Sequence, residues 1–464
     1  RTTETHTLSL TAALPISTNE ARIQNISIRS GDHYAVEIPK GNLELVRCDI
    51  TATASGGVLI HGAGTTSTMT DCTIHDTKLD GIFVNYGARP TIRGCKILRG
   101  KKAGISAANG ADPKVANCDI TGCQAGIFVH GNAKGSFDDC RISRTTMAGG
   151  VVVDSGGTPT ISDCVIHNCK AGGIEVHGGS IIVQRCDVYN CDHAGISVFN
   201  RSDATITGGK VYGNRTAGIV LHKVGDVTIK DCKISKNRTC GIDILGIGNV
   251  RVTNCDILDE QSEAVVVKER GAGVFENCRL YGNGKSAFSI LSQGKPVVRN
   301  CKIYANDYAG IQCREGGTPS VTDCDIYDNE TGIVVFEKGK GAFSDCEISK
   351  SNRAGVYVMT GGDPTFKNCR IHHGKGPGVF VFDNGAGTFK DTKTYNNSTS
   401  GFVIISGGNP IILNCDINNN RHYGIQINAH GRGSISNSDL TNNQKGSLYV
   451  DKDAGTFHRR NIRE

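Results

Sequence analysis

The stretch GDPTFKNCRIHHGKGPGVFVF, Gly362 to Phe382, holds one complete structural repeat. Three short apolar alternations lie inside it: P-T-F, then C-R-I, then G-V-F-V-F. Each is too short for a helix and has the two-residue period of a half-buried strand. Working outward from Cys369, the same residue type recurs along the chain. Fifteen of the twenty cysteines stand at positions 48, 72, 95, 118, 140, 164, 186, 232, 255, 278, 301, 324, 346, 369 and 415, in steps of 22 to 24 residues with two double gaps. Gly209 and Thr392 fill the gaps in register, Ile26 precedes the series and Ser438 ends it, which makes nineteen positions. A period of ~20–50 residues marks a solenoid, a propeller or an array.

The residues around each ladder position repeat as well. An apolar residue comes three places earlier (Leu45, Met69, Ile92, Val115, Phe137) and another two places later (Ile50, Ile74, Ile97, Ile120, Ile142). Immediately before the ladder residue, fifteen of nineteen positions are Asn or Asp. These side chains tolerate left-handed backbone angles, so a corner is expected there. The third strand follows an A-G-I or G-V motif, as at Ala217–Ile219 and Ala309–Ile311. Three strands per ~23 residues predict an all-β, single-stranded right-handed parallel β-helix of about nineteen rungs, the pectin-lyase-like solenoid. Leucine-rich repeats carry one strand per unit, and a propeller blade needs about twice the period.

This grammar spans residues 19–457. The first eighteen residues, RTTETHTLSLTAALPIST, fit no repeat; they are expected to be a non-native or disordered leader and resemble translated sequencing-adapter read-through. Residues 458–464 are expected to be a C-terminal tail that does not complete a rung. A monomer, or a fragment of a multidomain chain, is the expected assembly.

Composition narrows the function. With 51 Lys+Arg against 45 Asp+Glu the net charge is only +6, and no basic block stands out, so no nucleic-acid partner is implied. No apolar run reaches the ~18 residues of a membrane span. The ladder cysteines are expected to face inward as small hydrophobes, reduced and inert. Many free thiols favour a reducing compartment, so the cytoplasm is the expected location, with the periplasm or the cell exterior as the alternative. No cofactor motif appears, and no metal site is expected. Cys123, Cys169 and Cys191, near His167 and His193, lack a C-x-x-C spacing and read as packing rather than ligation.

In the second half, G-x-P units alternate with G-x-G units. GGTPSVTDCDI (316–326) precedes GKGAFSDCEI (339–348), GGDPTFKNCRI (361–371) precedes GAGTFKDTKT (385–394), and GGNPIILNCDI (407–417) precedes GRGSISNSDL (431–440). This pattern resembles the right-handed β-helix repeats of carbohydrate-binding and sugar-hydrolase type, closest in style to the β-helix of F-box-type substrate-recognition proteins and their bacterial relatives. That family usually has Asn where this chain has its ladder Cys. The resemblance implies a fold, and it brings no catalytic residue with it.

The outward side of the third strand carries the candidate functional residues. Its first outward column includes Leu59, Phe83, Ser106, Phe128, Val152, Glu175, Ser197 and Val220; a second, two residues on, includes His61, His130, Asp154, His177, Phe199 and His222. Further along, Phe336, Tyr357, Met359, Phe380, Phe382 and Val403 are expected to form an apolar patch that docks a protein partner. The alternative is a polysaccharide-binding or polysaccharide-processing protein (hydrolase, lyase or epimerase), with Asp154, Glu175, His177, His222 and Asp243 as acid–base candidates in a groove. Tyr281, Tyr304 and Tyr327 share one repeat position and are expected to stack as a structural ladder.

Overall fold

The computed structural model describes residues 6–10 and 14–464, with side chains from residue 20 onward. Among the described residues there is no helix; every regular element is a strand, and each described pairing is parallel and joins a strand to its equivalent one rung on. The chain divides into two compact units, residues 1–233 and 234–464.

Two left-handed corners bracket the second strand of each rung. Asn25, Asn117, Asn254, Asn277, Asn300, Asn368, Asn414 and Asn437, the predicted corner, have φ between 47° and 56°. A second corner falls four residues after the ladder position, at Asp76, Asn168, Asn190, His373, Asn396 and Asn419 among others. Between them only three residues extend, as in Arg370–His372, so the middle one is forced inward and its neighbours outward. The strand-to-strand register is strict: Glu347↔Arg370, Ile348↔Ile371 and Ser349↔His372 is one example.

In the first unit the bore is filled by stacked Ile and Val, with the ladder from Cys48 to Cys186 beside them. The second unit adds an aromatic column, Phe343–Phe366–Phe389, with centroids 4.7 and 5.0 Å apart. All twenty cysteines are free and buried, each at most 4% exposed. Burial first, with smaller effects from Asp80 at Cys123 and from Asp391 and Asp416 at Cys415, pushes these two thiols up to about 11.

A second inner column lies five residues after the ladder. Cys123, Cys169 and Cys191 belong to it in the first unit. In the second unit it becomes an asparagine ladder: Asn283 Nδ2 donates to Asn306 Oδ1 (2.8 Å) and Asn306 Nδ2 to Asn329 Oδ1 (2.8 Å). Asn397, Asn420 and Asn443 repeat the pattern. Each side-chain oxygen also accepts a backbone N–H from the rung before, as Asn306 does from Asn283. This asparagine ladder stands at a different corner from the cysteines.

Outside, opposite charges one rung apart pair: Arg279 with Asp256, Arg370 with Glu347, Lys393 with Asp416. The tyrosines stack, Tyr281–Tyr304 and Tyr304–Tyr327 both at 4.9 Å with planes within 5°. Strands also form at His6–Leu10, paired with Ile26–Ser30, and at Phe457–Arg463, paired with Gly433–Asp439. The leader expectation falls partly on residues 1–5 and 11–13, which lie outside the described residues.

Candidate functional site

In the first unit the outward face of the third strands carries a cleft of about 520 Å³. It is lined by the column Phe83–Ser106–Phe128–Val152, held in register by parallel pairing. Phe83 and Phe128 stand two rungs apart with the small Ser106 between them. At ~4.8 Å per rung this leaves two aromatic walls roughly 10 Å apart over a low floor. His130 stacks on Phe128 with centroids 4.4 Å apart and planes at 20°, which fixes its ring along one wall.

The chemistry comes from the turn that precedes the third strand. At that position successive rungs hold Tyr34, Gly56, Asp80, Ala103 and Ala125. Asp80 Oδ1 accepts the backbone N–H of Ala103 at 3.0 Å, which aims the carboxyl along the cleft edge. Burial raises its pKa above the usual carboxylate range, and the Ala103 hydrogen bond and the charges of Lys102 and His130 only partly offset this. Tyr34 reaches past Gly56, where an added Cβ would lie 2.1 Å from Cε1 of the phenol ring. Burial first, then the negative charge of Asp80, push the Tyr34 hydroxyl well above its ordinary pKa, so it stays a hydrogen-bond donor. Lys102 is exposed at the rim. The cleft thus combines a carboxyl whose pKa is raised by burial, a phenol, a cation and two aromatic walls.

Of the predicted acid–base residues, four lie in the first unit. Asp154 accepts the N–H of Ser155 (2.6 Å), and Glu175 accepts that of Gly172 (2.9 Å), so each carboxylate binds its own turn. His177 is exposed and stacks on Phe199 at 5.1 Å; Phe199 meets His222 edge-on at 6.3 Å. No hydrogen bond joins Asp154, Glu175, His177 and His222 to one another among the described contacts. Asp243, in the second unit, pairs with Lys268 at 3.2 Å, and its other oxygen, Oδ1, is buried with no partner. Burial raises the Asp243 pKa.

The structure brings the predicted aromatic patch together in the second unit. Tyr357 meets Phe380 at 5.6 Å and Phe382 at 6.0 Å, and Phe380 meets Phe382 at 4.7 Å. Val403 pairs with Phe380 in register, and all six residues, Phe336 and Met359 included, are half-buried. Cys169 and Cys191 are enclosed in the bore, while His193 is exposed. Among the described residues no group of three or more His, Cys, Asp and Glu side chains is arranged to hold a metal ion.

Reading the sequence by columns finds Phe83, Phe128 and His130 but misses Tyr34, Asp80 and Lys102. The signal for Asp80 is present: it occupies the place before Gly81–Ile82 where the next rungs carry Ala103–Gly104–Ile105 and Ala125–Gly126–Ile127.

A family model described as "Right handed beta helix region" matches residues 13–158, 108–257, 241–337 and 309–462. The chain belongs to this family of right-handed parallel β-helices. Among solved structures it is similar to the Azotobacter vinelandii mannuronan C-5 epimerase AlgE4 A-module, at 16% identity over 75% of this chain and 91% of that one, with a TM-score of 0.36. It is also similar to the periplasmic alginate epimerase AlgG, at 11% identity over 89% and 78% with a TM-score of 0.36. Pectate lyase Pel9A matches at 16% identity over 66% and 70%, with a TM-score of 0.26. These likenesses are of fold. No curated protein matches the chain.

Proposed function

We propose that the chain binds a polysaccharide in the Asp80 cleft and acts on it by proton transfer. One observation carries this reading: a buried carboxyl with a raised pKa stands at the edge of a cleft walled by Phe83 and Phe128. Apolar faces of sugar rings pack on aromatic side chains, and a carboxyl whose pKa is raised by burial is suited to general acid catalysis. Lys102 adds positive charge for an acidic group on the sugar, and the His130 ring adds a hydrogen-bonding edge. The His177–Phe199–His222 stack continues the second outward column, and we assign it to sugar contact, since Asp154 and Glu175 are held by their own turns.

The test is a panel of neutral and acidic polysaccharides, followed for binding by calorimetry and for reaction by reducing ends, ultraviolet absorbance and proton NMR. Asp80→Asn is expected to bind the responding polymer within about threefold of the parent while turnover falls roughly 100-fold or more. Full turnover in Asp80→Asn, or no polymer bound, would remove the reading.

A second reading, docking of a protein partner, is favoured by the Tyr357–Phe380–Phe382 cluster, which gathers apolar surface on one face of the second unit. As for location, the cytoplasmic expectation rested on the thiols. With every thiol buried, an oxidising compartment would meet none of them, so the cysteines set no constraint. A polysaccharide is met mainly outside the cytoplasm, and that is the working place we propose. Among the described residues no helix is long and apolar enough to cross a membrane.

A further inference from the structure

His372 and His373, in the second unit, point their Nδ1 atoms at each other, 2.6 Å apart. The repeat makes this geometry systematic. The last residue of the second strand and the left-handed corner residue after it form the same pair in other rungs. His75 Nδ1 meets Asp76 Oδ2 at 2.7 Å, and His167 Nδ1 meets the Asn168 amide at 3.0 Å. In the first pair the carboxylate is already bound by Arg99, and in the second the partner is an amide nitrogen. Only the pair at 372–373 sets two imidazole nitrogens face to face among the described residues.

The surroundings orient both rings. Glu347, paired with Arg370, takes a hydrogen bond from His372 Nε2 at 3.2 Å, which leaves the His372 Nδ1 lone pair directed at its neighbour. A carboxylate on the far nitrogen is the usual outer support of a metal-bound imidazole. Tyr395 stacks on His372 at 4.7 Å, and the His372 side chain is only 11% exposed, so that ring cannot swing away. His373 is exposed and can adjust.

We propose that His372 and His373 form a binding site for a divalent late-transition cation of the copper(II) kind, held through both Nδ1 atoms with water in the remaining positions. The separation selects the geometry. Two nitrogens at ~2.0–2.1 Å from a metal lie about 2.9 Å apart at adjacent corners of a square and about 3.4 Å apart on a tetrahedron. The observed 2.6 Å is a hydrogen-bonding separation that must open on binding, by less for the square, tetragonal arrangement of copper(II) or nickel(II) than for the tetrahedral one of zinc. Binding requires the proton on His373 Nδ1 to move to Nε2, where the Asn396 side-chain amide, now at 3.5 Å, can turn its oxygen to accept it.

The test is copper(II) titration of the full chain, read by electron paramagnetic resonance and calorimetry. One equivalent is expected to give a tetragonal spectrum with coupling to two nitrogens. His373→Asn and His372→Tyr are suitable variants, because neighbouring rungs already hold Asn396 and Asn419 at the corner and Tyr395 in the stack. Each is expected to weaken copper binding at least tenfold and to abolish the two-nitrogen pattern. Unchanged affinity and spectrum in both variants, or no copper bound at about 0.1 mM metal, would overturn the proposal.

Discussion

Glu260 accepts two hydrogen bonds from Asn237, one from its backbone N–H at 2.7 Å and one from its side-chain amide at 3.2 Å, at the place where the next rungs put asparagine. It is 2% exposed. Asparagine there would donate to the next rung, as Asn283 does to Asn306, whereas an ionised glutamate cannot. Burial, with a smaller effect from Asp259, pushes the Glu260 pKa up to about 8. A carboxyl with a raised folded pKa keeps its proton in the folded state while the unfolded chain has lost it. Stability therefore falls as pH rises from about 4.5 to about 8 and levels off above that. Glu260→Gln is expected to remove this slope, which amounts to on the order of 3–5 kcal/mol between the two ends. Urea unfolding of both proteins across this range checks it; parallel pH profiles would contradict the assignment.

The asparagine ladder should be costly to interrupt. Asn306 accepts the N–H and amide of Asn283 and donates to Leu280, Tyr304 and Asn329. Asn306→Ala leaves several buried partners unsatisfied and is expected to cost about 2–4 kcal/mol. A loss below about 0.5 kcal/mol in denaturant titration would mean that the ladder contributes little.

Gly56 is the gap through which Tyr34 reaches Asp80. A methyl group there would overlap the phenol ring, so Gly56→Ala is expected to displace Tyr34 and leave the surrounding strands paired. Tyrosine titration by ultraviolet absorbance follows the result. The raised Tyr34 pKa should drop toward the ordinary value in the variant, and an unchanged titration would show that the ring does not depend on this gap.

The twenty thiols should be silent in the folded protein. Each is at most 4% exposed, and a pKa near 11 for Cys123 and Cys415 leaves only about one in a thousand of these as thiolate at pH 8. A thiol reagent is expected to react with nearly all of them in denaturant and with almost none in native buffer. Rapid native labelling would place the cysteines outside the bore.

What the sequence makes legible follows from what repeats. Cys369 and its equivalents, the Asn368 corner and the Tyr281–Tyr304–Tyr327 stack each recur at one spacing, and a parallel solenoid turns one spacing into one column. The Phe380 patch was legible for the same reason. The asparagine ladder at Asn283 and its equivalents is periodic too, but it is confined to part of the chain and was overshadowed by the cysteines. Asp80 and Tyr34 were not legible, because a site made of exceptions to the repeat shows only when rungs are superposed. Asp154 and Glu175 illustrate the converse: outward placement was right, yet nearby backbone N–H groups take up both carboxylates.

We place sugar binding at the Phe83–Phe128 cleft of the first unit. The most direct measurement compares Phe128→Ala with Tyr357→Ala by calorimetry, using an oligosaccharide of the responding polymer. Phe128→Ala should weaken binding about tenfold or more by removing a wall and the stacking partner of His130, and Tyr357→Ala should leave it unchanged. Binding kept in Phe128→Ala and lost in Tyr357→Ala would contradict the account.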